Sequence, residues 1–206
     1  MIVTQDDETI DQILSSVESI CKKYPEKYWL ELDKAQSYPT EFVKSMTESG
    51  HLNALIPTKY GGAGLSLLIA ARILEKIHQS GCNAAAAHAQ MYTMGSILKY
   101  GSEAQKSKWL PLIAKGEVRL QAFGVSEPEA GTDTSSISTS AIRKENKYIL
   151  NGQKIWTSRA LHSDLMILLA KTKSKNERNS KSDGLSLFLI DIREYLGSGM
   201  TIRPIE

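Results

Sequence analysis

Cysteine is nearly absent from this chain: Cys21 and Cys82 are its only two among 206 residues. Thiols so far apart in sequence match no metal-binding or redox spacing, and they read as buried thiols in a reducing compartment. Charge of one sign is missing as well. Lys and Arg number 25 against 23 Asp and Glu, a net charge of +2, too balanced for a surface that binds nucleic acid or a membrane face. No run of about 18 apolar residues occurs, so no segment is expected to span a bilayer. The opening M-I-V-T-Q-D-D-E-T lacks a basic region ahead of an apolar stretch and is acidic rather than Arg-rich. It matches neither a secretory nor a mitochondrial leader, and the cytoplasm is the default location. What remains is an ordinary soluble composition, 41% hydrophobic, long enough for one large domain or two small ones.

The first half reads as helical. Ile10, Ile13, Leu14, Val17, Ile20 and Cys21 recur at helical spacing over residues 8–21. Asp6 and Asp7 stand where an N-cap or a first-turn acid belongs. Residues 22–37 are polar, with Tyr24, Tyr28, Trp29 and Leu32 as anchors, and a further helix is expected from Pro39 to just before Gly50. Three glycines in four residues, Gly61, Gly62 and Gly64, then make an elbow. A phosphate-cradling loop would need a lysine and Ser or Thr after its last glycine; these are missing, which leaves a structural turn.

Residues 65–79 and 83–99 read as two well-buried helices, the first displaying Leu65, Leu68, Ile69, Ile73, Leu74 and Ile77. The second opens on four alanines, and small residues there admit a close neighbour or a thin ligand chain. Ser102-Glu103-Ala104-Gln105 is a capping box for a helix that Pro111 should kink or interrupt and Gly116 should end.

Beyond Glu117 the period changes to that of strands. Residues 121–125, 138–143, 147–150, 153–157, 165–170, 185–191 and 200–205 are expected strands, and residues 171–183 a hydrophilic hairpin loop. The change places a domain boundary near residue 118. The expected fold class is α+β, with an all-helical domain over residues 1–118 followed by a partial β-barrel or sandwich-like domain over residues 119–206.

Two stretches of the second domain carry chemistry. Q-A-F-G-V-S-E-P-E-A-G-T-D-T-S-S, from Gln121, opens apolar, is broken by Pro128 and Gly131, and continues into Thr132, Asp133, Thr134, Ser135 and Ser136. Such a loop lies at the surface, either as a plain solvated turn or presenting backbone N–H groups and hydroxyls to a ligand. Farther on, Asn151-Gly152 is a strong signal for a tight hairpin between Tyr148-Ile149-Leu150 and Gln153-Lys154-Ile155-Trp156. That hairpin would carry Trp156 out to Thr157 and Ser158. An indole face with nearby hydroxyls and amides suits a flat heteroaromatic ligand bearing carbonyl and ring-nitrogen acceptors.

V-S-E-P-E-A-G-T-D followed by N-G-Q-K-I-W-T-S resembles the flavin-binding signature of the acyl-CoA dehydrogenase family, T-E-P-x-A-G-S-D with N-G-x-K-x-W-I-T. The P-T-K-Y-G-G-A-G elbow and the run Y-G-S-E-A-Q-K-S-K-W-L-P-L-I-A-K-G-E are similar to that family's N-terminal domain and to its link into the sheet domain. The resemblance implies FAD as cofactor. Phe123, Val125, Ser126, Gly131 and Thr132 would line the flavin, with Thr132 between its pyrophosphate side and the acyl-CoA. Trp156 would pack on the isoalloxazine, with Thr157 and Ser158 near N5. His88, Met91 and Tyr92 become candidate liners of an acyl channel, against the alternative that His88 is a hydrogen-bonded core residue.

Thr132 stands for the family's usual Ser and Ser158 for its usual Thr, so the hydroxyls are kept. Glu129 and Arg159 stand where small or amide residues are common, which alters local charge. The implied reaction removes the α-proton of an acyl-CoA thioester with a glutamate while the β-hydrogen leaves as hydride to the flavin. An electron-transfer flavoprotein or similar acceptor then reoxidises the cofactor, and family members are usually homotetramers, so a homo-oligomer is expected of the full-length form. The family's base lies in a C-terminal helical bundle, and the sequence ends at Glu206 within an expected strand. The expectation is therefore a middle domain truncated at its C-terminal end, inactive and poorly soluble alone, with the bundle lost or supplied by another chain. Glu127, in the S-E-P turn, is structural in the family. Alternatives on the same scaffold are an acyl-CoA oxidase, a flavin monooxygenase, or a non-catalytic module that binds acyl-CoA or a partner.

Overall fold

The computed structural model describes residues 7–177 and 179–205. The chain divides into two compact units, Met1–Arg119 and Leu120–Glu206. The candidate N-cap Asp6 lies outside the described residues.

Among the described residues, the first unit holds six α-helices: α1 (Asp7–Cys21), α2 (Glu26–Lys34), α3 (Thr40–Glu48), α4 (Leu67–Gln79), α5 (Ala85–Tyr100) and α6 (Glu103–Lys115). The apolar stripe of α1 buries Leu14, Val17, Ile20 and Cys21. Val17, Ile20 and Cys21 pack with Phe42, Val43 and Met46 of α3 and with Ile69, Ala70, Ile73 and Ile77 of α4. Each fully buried Ile contributes roughly 1.5–3 kcal/mol by leaving water. Tyr24, Tyr28, Trp29 and Phe42 form a tilted and edge-on aromatic cluster at the margin of this core.

Helix α4 starts one residue after Ser66, whose hydroxyl accepts from the Ile69 N–H at 3.3 Å. Its first turn departs from expectation: Leu67 and Leu68 are 75% and 70% exposed, because the buried stripe begins only at Ile69. The elbow is a structural turn. A 3₁₀ segment, Thr58–Tyr60, ends on Gly61 in the left-handed region at φ 83°. The following Gly62 lies so close to Ile56 that a Cβ would collide with that carbonyl.

The capping box of α6 is formed in full: Gln105 N–H to Ser102 Oγ at 3.2 Å and Ser102 N–H to Gln105 Oε1 at 2.9 Å. Such a cap stabilises a helix by about 1 kcal/mol. Helix α6 runs on through Pro111 without interruption and ends at left-handed Gly116. Burial of Trp109, Leu110, Ile113 and Ala114 offsets the backbone bond that the proline removes.

The second unit is a mixed sheet of β1 (Leu120–Gly124), β2 (Ser140–Lys144), β3 (Lys147–Asn151), β4 (Leu165–Lys171) and β5 (Leu185–Asp191). Strand β4 is its hub: β1 pairs with it in parallel and β5 antiparallel. Strand β2 meets β4 at one register pair, Ser140↔Lys171, and carries β3 as an antiparallel hairpin partner. Ala122, Ala160, Met166, Leu168 and Ile192 form the core here, with Leu150, Phe188 and Ile190 packed on it.

Three sequence expectations fail in this unit. The β2–β3 hairpin turns at Glu145-Asn146, between paired Lys144 and Lys147, with Glu145 left-handed at φ 55°. Asn151-Gly152 is therefore no turn: Asn151 pairs with Ser140, and Gly152 is pressed so closely on Thr139 that a Cβ would collide. Residues 153–157 are not a strand, and neither are residues 201–205; Met200 makes an isolated bridge to Leu196. Among the described residues, no helix is long and apolar enough to cross a membrane.

Candidate functional site

The site grows out of the loop after β1. Pro128 fixes the second position of a turn that closes at both ends, Glu127 N–H to Ala130 O at 2.9 Å and Ala130 N–H to Glu127 O at 3.1 Å. Beyond it, Asp133 caps a 3₁₀ turn, Thr134–Ser136, and accepts from Ser135 N–H at 3.0 Å. The Ser135 and Ser136 hydroxyls also donate to Asp133 and hold its carboxyl down to about 2. Two of the loop's hydroxyls are thus used internally, whereas Thr132 is exposed.

Glu127 is buried, 3% exposed. One oxygen accepts from Ser138 N–H at 2.5 Å and Ser138 Oγ at 2.7 Å. The other accepts from Thr139 N–H at 2.9 Å, from the Thr139 hydroxyl, and from Lys154 Nζ at 2.8 Å. Burial by itself raises a carboxyl pKa, but the Lys154 ammonium and these donors outweigh it and hold Glu127 down to about 2.

The second motif is fastened to the first by this carboxylate. Lys154 Nζ also donates to Val125 O at 2.9 Å, and Ile155 N–H donates to Ser126 O at 2.9 Å. Residues 154 and 155 therefore lie along residues 125–127, and Trp156 follows directly. Trp156 is in the left-handed region at φ 57° and is 68% exposed. A bulky non-glycine residue is rarely found there. The chain then folds tightly, with Ser158 N–H to Trp156 O at 3.0 Å, and enters the 3₁₀ turn Ala160–His162 through left-handed Arg159 at φ 60°.

Of the sequence-predicted residues, Val125, Ser126 and Trp156 are brought together by these bonds. Phe123 is half-buried on β1, paired with Ile167. Thr157 is half-buried and Ser158 exposed. Gly131 and Thr132 are exposed and lie past the turn, with no hydrogen bond to the Trp156 segment among the described residues. In the first unit, Met91 is buried and Tyr92 is 42% exposed. His88 is not a core residue: it is exposed, its ring 5.2 Å from that of Tyr92. Beside them is a residue the sequence reading missed. Gln90 is fully buried, yet neither of its amide atoms has a partner among the described residues.

A flat ligand with acceptors along its edge fits what this loop leaves open. The Thr157 hydroxyl is buried without a partner among the described residues. The carbonyls of Val125 and Ser126 are consumed by Lys154 and Ile155, while the Ser126 N–H has no acceptor among the described residues. A Cβ built on Gly131 would meet nothing within 4 Å, so that glycine is needed neither for backbone conformation nor for packing inside the chain. Donors, an exposed indole and an open approach over a glycine together suit the isoalloxazine of a flavin. No group of three or more His, Cys, Asp or Glu poised for a metal occurs among the described residues.

Residues 7–117 match the acyl-CoA dehydrogenase N-terminal domain, and residues 122–206 match the acyl-CoA dehydrogenase middle domain. The chain belongs to the acyl-CoA dehydrogenase family. Glutaryl-CoA dehydrogenase of Desulfococcus multivorans is 36% identical over 170 residues, which are 80% of this chain and 42% of that relative. The crystal structure of acyl-CoA dehydrogenase from Geobacillus kaustophilus has a TM-score of 0.80 at 26% identity, over 93% of this chain and 50% of that one. A structure from work on the electron transferring flavoprotein of Acidaminococcus fermentans and flavin-based electron bifurcation has a TM-score of 0.79 at 28% identity, over 93% of this chain and 49% of that one. The chain thus spans about half the length of the family members it matches, or less.

The structural role expected of Glu127 is realised as a buried ion pair, and its partner Lys154 is the site residue that sequence reasoning did not find. The only signal for Lys154 was a single base inside the otherwise uncharged N-G-Q-K-I-W-T-S motif.

Proposed function

We propose that this chain is the N-terminal and middle portion of a flavin-dependent acyl-CoA dehydrogenase, acting on an acyl-CoA thioester with FAD as cofactor. The observation that carries this reading is the exposed indole of Trp156, anchored through Ile155 and Lys154 beside the free Ser126 amide. The flavin supplies the hydride-accepting chemistry when bound. Trp156 would offer its face to the ring, and Ser126 N–H and Thr157 Oγ1 would be donors for its polar edge. By resemblance to the family, Phe123, Val125, Gly131, Thr132 and Ser158 would complete the lining of the flavin.

Within this chain, Glu127 is not the base. A general base needs a lone pair free to receive a proton, and the Glu127 oxygens already accept from five donors. The proton is abstracted by a carboxylate outside this span, as in the family's C-terminal bundle. An electron-transfer flavoprotein or similar acceptor would be the electron partner of this chain. The working form is a homo-oligomer in the cytoplasm.

The test is spectroscopic. The purified protein should bind FAD and show flavin absorbance in the blue. With the C-terminal segment present, an acyl-CoA thioester should bleach that absorbance without air, and an artificial acceptor should restore it. Rapid peroxide formation in air would instead support an oxidase. A protein that takes up no flavin would leave only the binding-module reading.

A further inference from the structure

Lys154 and Glu127 stand apart from the other ion pairs of the chain. Their side chains are 8% and 2% exposed, whereas every other pair recorded among the described residues has at least one member more than a third exposed. A buried pair is poor value as a stabiliser, because two apolar side chains of similar size would serve the fold as well or better. This pair therefore calls for another use, and the geometry supplies one.

Lys154 does more than neutralise Glu127. Its Nζ lies 2.9 Å from Val125 O. That carbonyl belongs to the same peptide group as the Ser126 N–H, the amide that has no acceptor among the described residues. A cation on the oxygen of a peptide draws electron density toward it and makes the N–H at the other end a stronger donor. The stem of Lys154 reaches this position by lying over Gly124, where a Cβ would stand 3.3 Å from Lys154 Cγ. Glu127 holds the ammonium in place, and Ser138 and Thr139 hold Glu127.

We propose that Lys154 is a positioning residue for the flavin: through the Val125–Ser126 peptide it fixes and polarises the Ser126 N–H, the donor that meets the acceptor edge of the ring. The assignment rests on the flavin reading above. Its consequence is redox bias. A reduced flavin carries more negative charge on its acceptor atoms than an oxidised one, so a strengthened donor favours the reduced form.

The test compares the purified protein with the double variant Lys154→Met/Glu127→Gln, which removes both charges and leaves no buried ion unpaired. FAD affinity and the two-electron reduction potential of the bound flavin are measured alongside thermal unfolding. The expected result is at least tenfold weaker FAD binding and a potential lowered by about 30 mV for each tenfold loss of preference for the reduced form. Lys154→Arg, which keeps a cationic donor for Val125 O, should restore most of the potential. A double variant that unfolds earlier but keeps the affinity and potential of the parent would overturn the assignment, leaving the pair purely structural. If the parent protein itself took up no flavin, the functional reading would fall and the assignment with it, an outcome distinct from an unchanged double variant.

Discussion

Ile155 and Ser126 are joined main chain to main chain, N–H to carbonyl at 2.9 Å. One residue earlier, Lys154 and Val125 repeat the link through a side chain, Nζ to carbonyl at 2.9 Å. Two motifs widely separated in sequence are thereby zipped along neighbouring residues, and Trp156 is the first residue beyond the zip.

Trp156 is the chain's readiest optical probe. Trp29 and Trp109 belong to the helical unit, so Trp156 alone reports on the sheet unit. Adding FAD should quench indole fluorescence in the parent protein, and the quenching should be largely lost in Trp156→Phe. Because the side chain is 68% exposed, that variant should keep its stability to within about 0.5 kcal/mol in urea unfolding.

Acid should loosen the zip. Glu127 is held down to about 2 in the folded chain against an ordinary value of 4.5. Its contribution to stability is therefore present above pH 4.5 and is lost as pH falls through that value toward 2, in total on the order of 3 kcal/mol. Unfolding free energy should drop more steeply over this range in the parent than in Glu127→Gln, which has no proton to take up. Equal slopes would show that Glu127 does not carry the acid sensitivity.

Gly131 separates ligand from fold. Its φ is not left-handed and a Cβ would meet nothing within 4 Å, so Gly131→Ala should melt like the parent. If the ring approaches this glycine, the same methyl group should weaken FAD binding severalfold in a fluorescence titration. Gly152→Ala is the opposite case: its Cβ would collide with Thr139, and it should destabilise the chain by more than about 1 kcal/mol.

The two thiols should be inert in the native state. Cys21 and Cys82 are 2% and 5% exposed, and Cys82 Sγ donates to Cys21 O at 3.7 Å. Burial, reinforced by the neighbouring Cys82, pushes the Cys21 thiol up to about 12, so little thiolate forms at neutral pH. An aromatic disulfide reagent should label neither thiol before unfolding and both after it. Fast labelling of the folded protein would contradict the packing described.

Local signals carried the helical half well. The stripe of α1, the Ser102–Gln105 box and the Gly116 terminator are patterns confined to a few residues, and all three are realised. The sheet half was legible where apolar residues run together, as in β4 and β5, and illegible where distant residues decide the backbone. Asn151-Gly152 looks like a hairpin turn, but its glycine serves to pass Thr139, and the turn falls at Glu145-Asn146 instead. Residues 153–157 have a strand's composition. Lys154 and Ile155 nevertheless spend their donors on the first loop, and Trp156 is bent out of β geometry. Pairing across such a gap leaves no periodic trace, so the Glu127–Lys154 bond could not be read from either motif alone. At Pro111, tertiary burial overrode a local breaker.

Strand β2 is attached to the hub strand at one register pair, Ser140↔Lys171, with Lys171 N–H to Thr139 O at 2.8 Å beside it. The main-chain seam of the β2–β3 hairpin is thus short, with Leu150 packed on the core and the Tyr148 ring 5.1 Å from that of Phe188 adding to it, and Glu127 grips the seam at Ser138 and Thr139. Whatever loosens that carboxylate weakens the seam, so the breathing of an outlying ribbon and the firmness of the ligand-facing loop share one rivet.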